Sequence, residues 1–490
     1  MVNDLLLGLA AKGRLEPAIR QEGVYLPKGR EKMLESFRFM VCRIAFIVVI
    51  AVFLIPISLY SQDYPGTESG DEPSYPGIPP TGGKLEGTLG SFNLRLYGTI
   101  LLNVSGSDSG VVGTDVPLWA TPSSARTSFI DGTQKRVDDV HELIFTARQT
   151  TFGFLVKPAT TSGGWNTSGK LEMDFFGTRP VDNNLPQGRV LNQPRLRFAY
   201  FQFGKNNWKI TAGQDKAILA PLDPVSLSHV AIPLASTAGN LWAWLPQVRL
   251  DSTQHFGESA LSLQAGVLRP QFADPRLGDQ PTPGTSLEGS PGLGERATQP
   301  FYQGRVGFSS PLSGSKLTVG VSGHYGRERV GAERTVDSSA VAIDYAVPVF
   351  SRLIWRGELF TGSNLVPFQG GIRQGVATPL TGNPIPFTGV DSKGGWTELI
   401  IKATSNNKNV FYVGVSEDDP RDRDLTTGST FSRNAMAWAS YFRKLNDQIT
   451  IALEWSNWQF KTRQIAGGAA GPQGPSGTAN VFNLAFAYQF

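Results

Sequence analysis

From residue 90 onward the chain keeps returning to one pattern, in which apolar and polar side chains occupy alternate positions. In FNLRLYGTILLNV, Phe92, Leu94, Leu96, Ile100, Leu102 and Val104 share one parity, while Asn93, Arg95, Tyr97 and Asn103 share the other. Successive residues of a β-strand face opposite sides, so such a run predicts a strand with one apolar and one polar face. SGKLEMDFFG sets Leu171, Met173 and Phe175 against Lys170, Glu172 and Asp174, and RLRFAY sets Leu196, Phe198 and Tyr200 against Arg195 and Arg197. KLTVGVSGHY and QITIALEWSNW repeat the scheme. Sixteen such runs are readable, the first at 91–104 and the last at 479–490.

The connections decide what these strands build. Long links (105–142, 178–192, 215–245, 270–299, 328–335, 362–395, 418–430 and 461–478) alternate with short ones such as GKNN, SPLSGS and SNNK. A soluble sandwich has no reason to sort its loops by length. An outer-membrane barrel does, with tight turns on the periplasmic side and longer loops outside. The expected fold is all-β, a transmembrane antiparallel β-barrel of about 16 strands with both barrel termini on the periplasmic side. In hydrocarbon every backbone polar group must be paired, so the sheet has to close on itself. The terminal run VFNLAFAYQF, with Phe482, Leu484, Phe486, Tyr488 and Phe490 on one face, suits a last strand that pairs with the first. Tyr488 and Phe490 are expected in the interfacial aromatic girdle. A C-terminal aromatic strand also resembles the signal read by the bacterial barrel-assembly machinery.

Composition narrows the alternatives. A hydrophobic content of 40% is too low for a bundle of transmembrane helices, and 55 Gly with 33 Pro supply many turns. The formal net charge is +4, but residues 1–61 hold eight Lys/Arg against five Asp/Glu, so the remainder is close to neutral and implies no nucleic-acid partner. Cys42 is the one cysteine, and His141, His229, His255 and His324 lie far apart in sequence, so neither a metal site nor another cofactor is expected.

The N-terminal part has a different character. Arg38 and Arg43 precede an apolar run from Ile44 to Leu59, broken by Pro56, with a polar exit near Ser61 or Gln62. This is the pattern of a secretory signal, the alternative being a membrane anchor. Residues 1–62 are thus expected to comprise a signal segment behind a mis-called extension, with translation starting at Met33 or Met40. Residues 63–89 are rich in Pro and Gly and predict a flexible linker, leaving 90–490 as the barrel domain.

FTARQTTFGFLVKP (145–158), LEMDFFG (171–177), RLRFAYFQFG (195–204), ITAGQD (210–215), PQVRLD (246–251) and GELFTGSNL (357–365), in this order, resemble the DcaP-like trimeric porins. The resemblance implies passive diffusion of small, often anionic, solutes through a homotrimer of barrels in the bacterial outer membrane. Two features depart from the family. A Pro/Gly linker stands where some members carry a coiled coil, and Thr151 stands where many porins have a lumenal arginine.

Selectivity is expected at the connection between strands 5 and 6, residues 215–245. It is apolar for an exposed loop: Ile218, Leu219, Leu222, Val225, Leu227, Val230 and Ile232 favour burial. Folding into the barrel mouth would bury them and narrow the pore, as the equivalent porin loop does; packing at a trimer contact is the alternative. Asp215, Lys216, Asp223 and His229 are its candidate polar residues, and Trp242 and Trp244 are expected at the barrel rim. Strand parity sends Arg95, Arg195, Arg197, Lys209, Arg249, Arg305 and Arg356 inward, together with Glu172, Asp174, Asp251 and Glu358. Either the cations line a constriction and favour anions, or they pair with the carboxylates and brace the wall. A non-conducting scaffold or adhesin, or a barrel lipase or protease, are the rival functions. The last needs a nucleophile with a base in reach, and no G-x-S-x-G occurs. No enzymatic activity is expected.

Overall fold

The computed structural model describes residues 85–113, 115–159, 163–177, 192–272, 292–377, 387–425, 430–466 and 469–490. The expected signal segment, 1–62, and residues 63–84 of the expected linker lie outside these.

Sixteen strands form the barrel. They are β1 (Phe92–Ser107), β2 (Glu142–Thr146, continued by Thr151–Pro158), β3 (Asn166–Gly177), β4 (Gln193–Lys205), β5 (Trp208–Lys216) and β6 (Trp244–Phe256). Then follow β7 (Ser259–Leu268), β8 (Phe301–Leu312), β9 (Ser315–Gly331), β10 (Arg334–Phe350) and β11 (Leu353–Ser363). The last five are β12 (Asp391–Lys402), β13 (Asn409–Pro420), β14 (Phe431–Lys444), β15 (Ile449–Ala466) and β16 (Ala469–Gln489). Each pairs antiparallel with its sequence neighbour. β16 closes the ring on β1 in a register running from Thr99↔Gln489 to Ser107↔Val481. Gly98 and Phe490 complete the seam by exchanging backbone hydrogen bonds of 3.1 and 3.2 Å. The closed ring removes the strand edge that hydrocarbon would penalise.

Beyond that seam a short strand, Leu85–Leu89, pairs with β1 from Leu85↔Leu96 to Leu89↔Phe92. It continues the line of β16 along the same side of β1. The described residues therefore begin inside the expected linker.

Side-chain exposure follows parity. On β16, Phe482 is 59% exposed while its neighbour Asn483 is 5% exposed. The exposed apolar set, which includes Ile100, Leu250, Val306, Leu359, Leu453 and Tyr488, is the face a bilayer would cover. The inward set is buried although a barrel of this size has room for water, so something fills part of the lumen.

Two expected long links are strand instead. β9 and β10 reach Gly331 and Arg334, leaving a tight turn where 328–335 was read as a loop. β15 and β16 reach Ala466 and start at Ala469, so most of 461–478 is hairpin. These strand tips carry no alternation because they are held by ladder hydrogen bonds and need no apolar face. β2, in turn, is interrupted at 147–150, where Thr150 Oγ1 accepts the Leu101 N–H at 3.1 Å in place of a ladder partner. The break turns Gln149 inward, fully buried.

Candidate functional site

Residues 217–243, between β5 and β6, track around the inner wall of the barrel. The backbone N–H groups of Ile218 and Leu219 donate to Gln303 Oε1 on β8 (2.8 and 3.1 Å), and that of Ala220 to Ser322 Oγ on β9 (3.2 Å). Leu222 N–H donates to Glu358 on β11 (2.6 Å) and Val225 N–H to Glu398 on β12 (3.1 Å). Leu227 and Ser228 N–H donate to Glu454 on β15 (2.8 and 2.7 Å). Val230 and Ala231 N–H then reach Gln149 at the break in β2 (2.9 and 3.0 Å). The carbonyls of Ala231 and Val230 accept from Arg195 and Arg197 on β4 (2.6 and 3.0 Å). Buried backbone groups need partners, and here inward carboxyl and amide groups supply them.

The apolar side chains of this segment find their burial against the same wall. Ile218, Leu219, Val225 and Leu227 are buried, with Leu222, Val230 and Ile232 partly so. Its middle, Leu234, Ala235 and Ala238, packs with Trp396, Met436, Trp438, Trp458 and Phe460 from β12, β14 and β15.

The remaining lumen holds a cavity of about 1100 Å³. It runs from Asn206 and Asn207 at the tight-turn end up to Pro221, Asp223, Pro233 and Trp242 of the 217–243 segment. Its wall comes from β2 to β9, with Arg356 of β11 the one contribution from later strands among its lining residues. The lumen is thus divided into a filled half and an open polar half.

Nine Lys and Arg side chains face the cavity (Lys157, Lys170, Arg197, Lys209, Lys216, Arg249, Arg305, Lys316 and Arg356) against four carboxylates (Glu172, Asp215, Asp223 and Asp251). The exposed charge of this surface is therefore positive. Much of it is nonetheless paired. Arg195 meets Asp174 at 2.6 Å, and Arg197 bridges Glu172 at 2.9 Å and Asp174 at 3.2 Å. Arg249 bridges Asp215 (3.0 Å) and Asp251 (3.1 Å), Arg305 meets Asp344 (2.6 Å), and Arg356 meets Glu398 (3.3 Å). Lys216 meets Asp223 at 2.5 Å, and Asp223 is tied further by Asn240 Nδ2 at 3.1 Å. Arg356 also donates to the Asp223 carbonyl. Among the described residues Lys209 makes no ion pair, because Asp251 opposite it turns to Arg249.

The inward residues read from parity and the polar candidates of the 215–245 link thus divide by position. Arg197, Lys209, Arg249, Arg305, Arg356, Glu172, Asp215, Lys216, Asp223 and His229 line the cavity, whereas Arg95, Arg195 and Asp174 do not. Glu358, 2% exposed, holds the 217–243 backbone instead of facing solvent. Trp242 and Trp244, where β6 begins, stack edge-on at 5.1 Å and line the cavity, with the Arg197 guanidinium 4.5 Å from the Trp244 ring. Thr151 is fully buried in register with Asp174. Glu398 and Glu454 are not among the residues read inward from the sequence, and Lys170, read on the polar face of its strand, is not among the candidate lining residues. The alternation of β3, β12 and β15 places all three inward and could have found them. Gln149 had no such signal, because it sits where the strand breaks.

His229 is buried where the segment meets 115–118. Its Nδ1 lies 2.9 Å from Ser228 Oγ and its Nε2 3.3 Å from the Pro117 carbonyl. Burial pushes its pKa down from 6.5 to about 4. His324 contacts Ser338 Oγ at 3.0 Å, with Gln303 at its other nitrogen (3.3 Å). Neither Ser–His contact has a carboxylate on the second ring nitrogen, so neither is a hydrolytic triad. Among the described residues no group of three His, Cys, Asp or Glu could hold a metal ion.

A closed sixteen-stranded antiparallel barrel around a polar lumen is the architecture of outer-membrane porins. Its fold is that of the outer membrane channel DcaP of Acinetobacter baumannii, matched with a TM-score of 0.58 at 15% identity over 84% of this chain and 99% of that one. An anion-selective porin from Comamonas acidovorans also matches, with a TM-score of 0.49 at 11% identity over 81% of this chain and 100% of its own. No protein-family model and no curated protein sequence matches. The likeness to the DcaP-like porins noted in the sequence motifs is thus met by the fold.

Proposed function

We propose that this chain is a bacterial outer-membrane porin that lets small hydrophilic solutes diffuse passively, with a preference for anions, and that residues 217–243 are its constriction. One observation carries the proposal: the open half of the lumen presents nine cationic side chains against four carboxylates, beside a segment anchored right round the inner wall. A fixed surface of one sign, bounded by low-dielectric protein, concentrates the opposite ion. Arg197, Lys209, Arg249, Arg305 and Arg356 are the selectivity residues, with Arg95 and Arg195 behind them, and Glu172 and Asp174 reduce the local field. Asp215, Lys216, Asp223 and His229 shape the constriction. The active form is read as a homotrimer in outer-membrane lipid, inserted by the barrel-assembly machinery through Tyr488 and Phe490. No enzymatic step is proposed.

The test is single-channel recording of purified protein in planar bilayers, with reversal potentials under a salt gradient. Discrete openings with a reversal potential on the anion side support the proposal. A membrane-inserted barrel without openings would identify a scaffold, and a cation-side potential would remove the anion preference.

A further inference from the structure

The 217–243 segment does not fill its half of the lumen alone. Residues 364–377, which open the connection from β11 to β12, also turn inward. Leu365, Val366, Phe368 and Ile372 are all at most 1% exposed. Leu365 and Phe368 share one apolar cluster with Ile218, Leu219 and Leu241, and Ile372 shares another with Leu234, Ala235 and Ala238. Both ends and the middle of the 217–243 segment thus rest on the second one. The backbones touch as well, the Trp242 N–H donating to the Phe368 carbonyl at 3.1 Å. No residue of 364–377 lines the cavity, whereas Pro221, Asp223 and Trp242 do. The second segment therefore lies behind the first.

The second segment is itself pinned to the barrel. Ser338 Oγ donates to the Asn364 carbonyl at 2.8 Å, and Asn364 Nδ2 donates to Glu328 at 2.9 Å. Gln374 makes a reciprocal pair with the Phe431 backbone, donating to its carbonyl at 2.7 Å and accepting its N–H at 2.8 Å. Ile372 N–H donates to Asp418 at 3.2 Å. Asn364, Gln369, Ile372 and Arg373 all hold positive φ values between 52 and 65°. Such angles persist in residues other than glycine only where the surroundings dictate them, most of all at a β-branched isoleucine.

We propose that residues 364–377 are a second lumenal element whose Leu365, Phe368 and Gln374 position the constriction, so that pore width is set by two stacked segments. This rests on the porin reading above. Conductance depends on where Asp223, Lys216 and Trp242 stand relative to the cationic wall. Arg356 holds the Asp223 carbonyl from the cavity wall, Lys216 is held in the β5–β6 ladder, and the Trp242 end rests from behind on the seat provided by Leu365 and Phe368 and held to β14 by Gln374.

The experiment records single channels of the parent, Leu365→Ala/Phe368→Ala and Gln374→Ala, with heat-modifiable migration on gels as the check on barrel folding. The parent should show one conductance level per barrel, so that a trimer closes in equal steps. Both variants should migrate as folded barrels, yet their openings should split into several levels. Gln374→Ala removes three hydrogen bonds and no apolar side chain, so it decides the matter if the double variant fails to insert. A single parental level and parental reversal potential in folded Gln374→Ala, or in the folded double variant, would overturn the positioning role and leave the porin reading standing. A parent without openings would remove the porin reading and this one with it.

Discussion

Gly239 of the 217–243 segment lies directly against Gly395 on β12. A Cβ added at Gly239 would stand 2.3 Å from the Gly395 carbonyl oxygen and 2.6 Å from that of Glu417 on β13. Gly239 also holds φ +111°, a conformation closed to other residues. Backbone thus meets backbone, and no side chain can yield. Gly239→Ala should push the segment off the wall at a cost of about 1–3 kcal/mol in its docking. The barrel seam lies elsewhere and should still form. Proteolysis of the folded, membrane-inserted protein within 217–243 should become faster than in the parent, and equal rates would show that the contact gives way.

Lys209 is the cleanest probe of charge selection, since it faces the cavity without an ion-pair partner among the described residues. Lys209→Glu changes the wall by two charges and breaks no pairing. The reversal potential should move towards the cation side, most clearly at low salt, where screening is weakest. Arg197 is a poorer probe. It is 4% exposed and holds both Glu172 and Asp174, so its loss confounds selectivity with packing. An unmoved potential in Lys209→Glu would mean that solutes do not pass this wall.

Acid should loosen the segment through His229. Its pKa is about 4 in the folded state against 6.5 when free, because burial opposes the charge. A depressed value means that the unfolded or undocked state binds the proton more readily. The contribution of His229 to stability is therefore complete above pH 6.5 and is lost as pH falls from there towards 4, to an order of magnitude of ~3 kcal/mol. The groups around it include Ser228, the Pro117 carbonyl and Asp115, the last already paired with Arg148 at 2.5 Å. His229→Asn should flatten the fall in unfolding midpoint between pH 7 and pH 4.5. Parallel curves for the two proteins would place the acid sensitivity in other groups.

Phe490 should matter more to assembly than to the finished barrel. Its backbone closes the seam with Gly98, and any side chain allows that, while its ring stacks near Tyr488 at 6.5 Å. Phe490→Ala, or a short polar tail after it, should lower the amount of heat-modifiable, inserted protein in cells and leave the channels that do insert with parental conductance. Normal membrane levels would count against an assembly role.

The alternation along β1, β3, β4 and β16 was enough to predict strands, their two faces and a closed ring, because a side chain's face is set by its own place in the strand. The same parity placed Arg197, Lys209, Arg249 and Arg305 inward. Where the ladder itself made the strand, as in GPQGPSG of β16, no alternation was needed and none marked it.

Pairing and position were another matter. That Glu358 and Glu454 hold backbone amides while Glu172 faces the cavity depends on where a distant loop comes to rest. Nothing within β11, β15 or β3 distinguishes the three. The apolar stretch from Ile218 to Ile232 announced that it would be buried, and the unpaired N–H groups between its side chains required acceptors. Which wall supplied them was a choice among sixteen strands. It was decided by the inward Trp396, Trp438 and Trp458, which give the segment an apolar surface on β12, β14 and β15 and leave the cations of β3 to β8 around open space. Local alternation determined the barrel and the facing of its side chains; long-range packing, which alone can satisfy buried amides and apolar surface together, decided which half of the lumen stayed open.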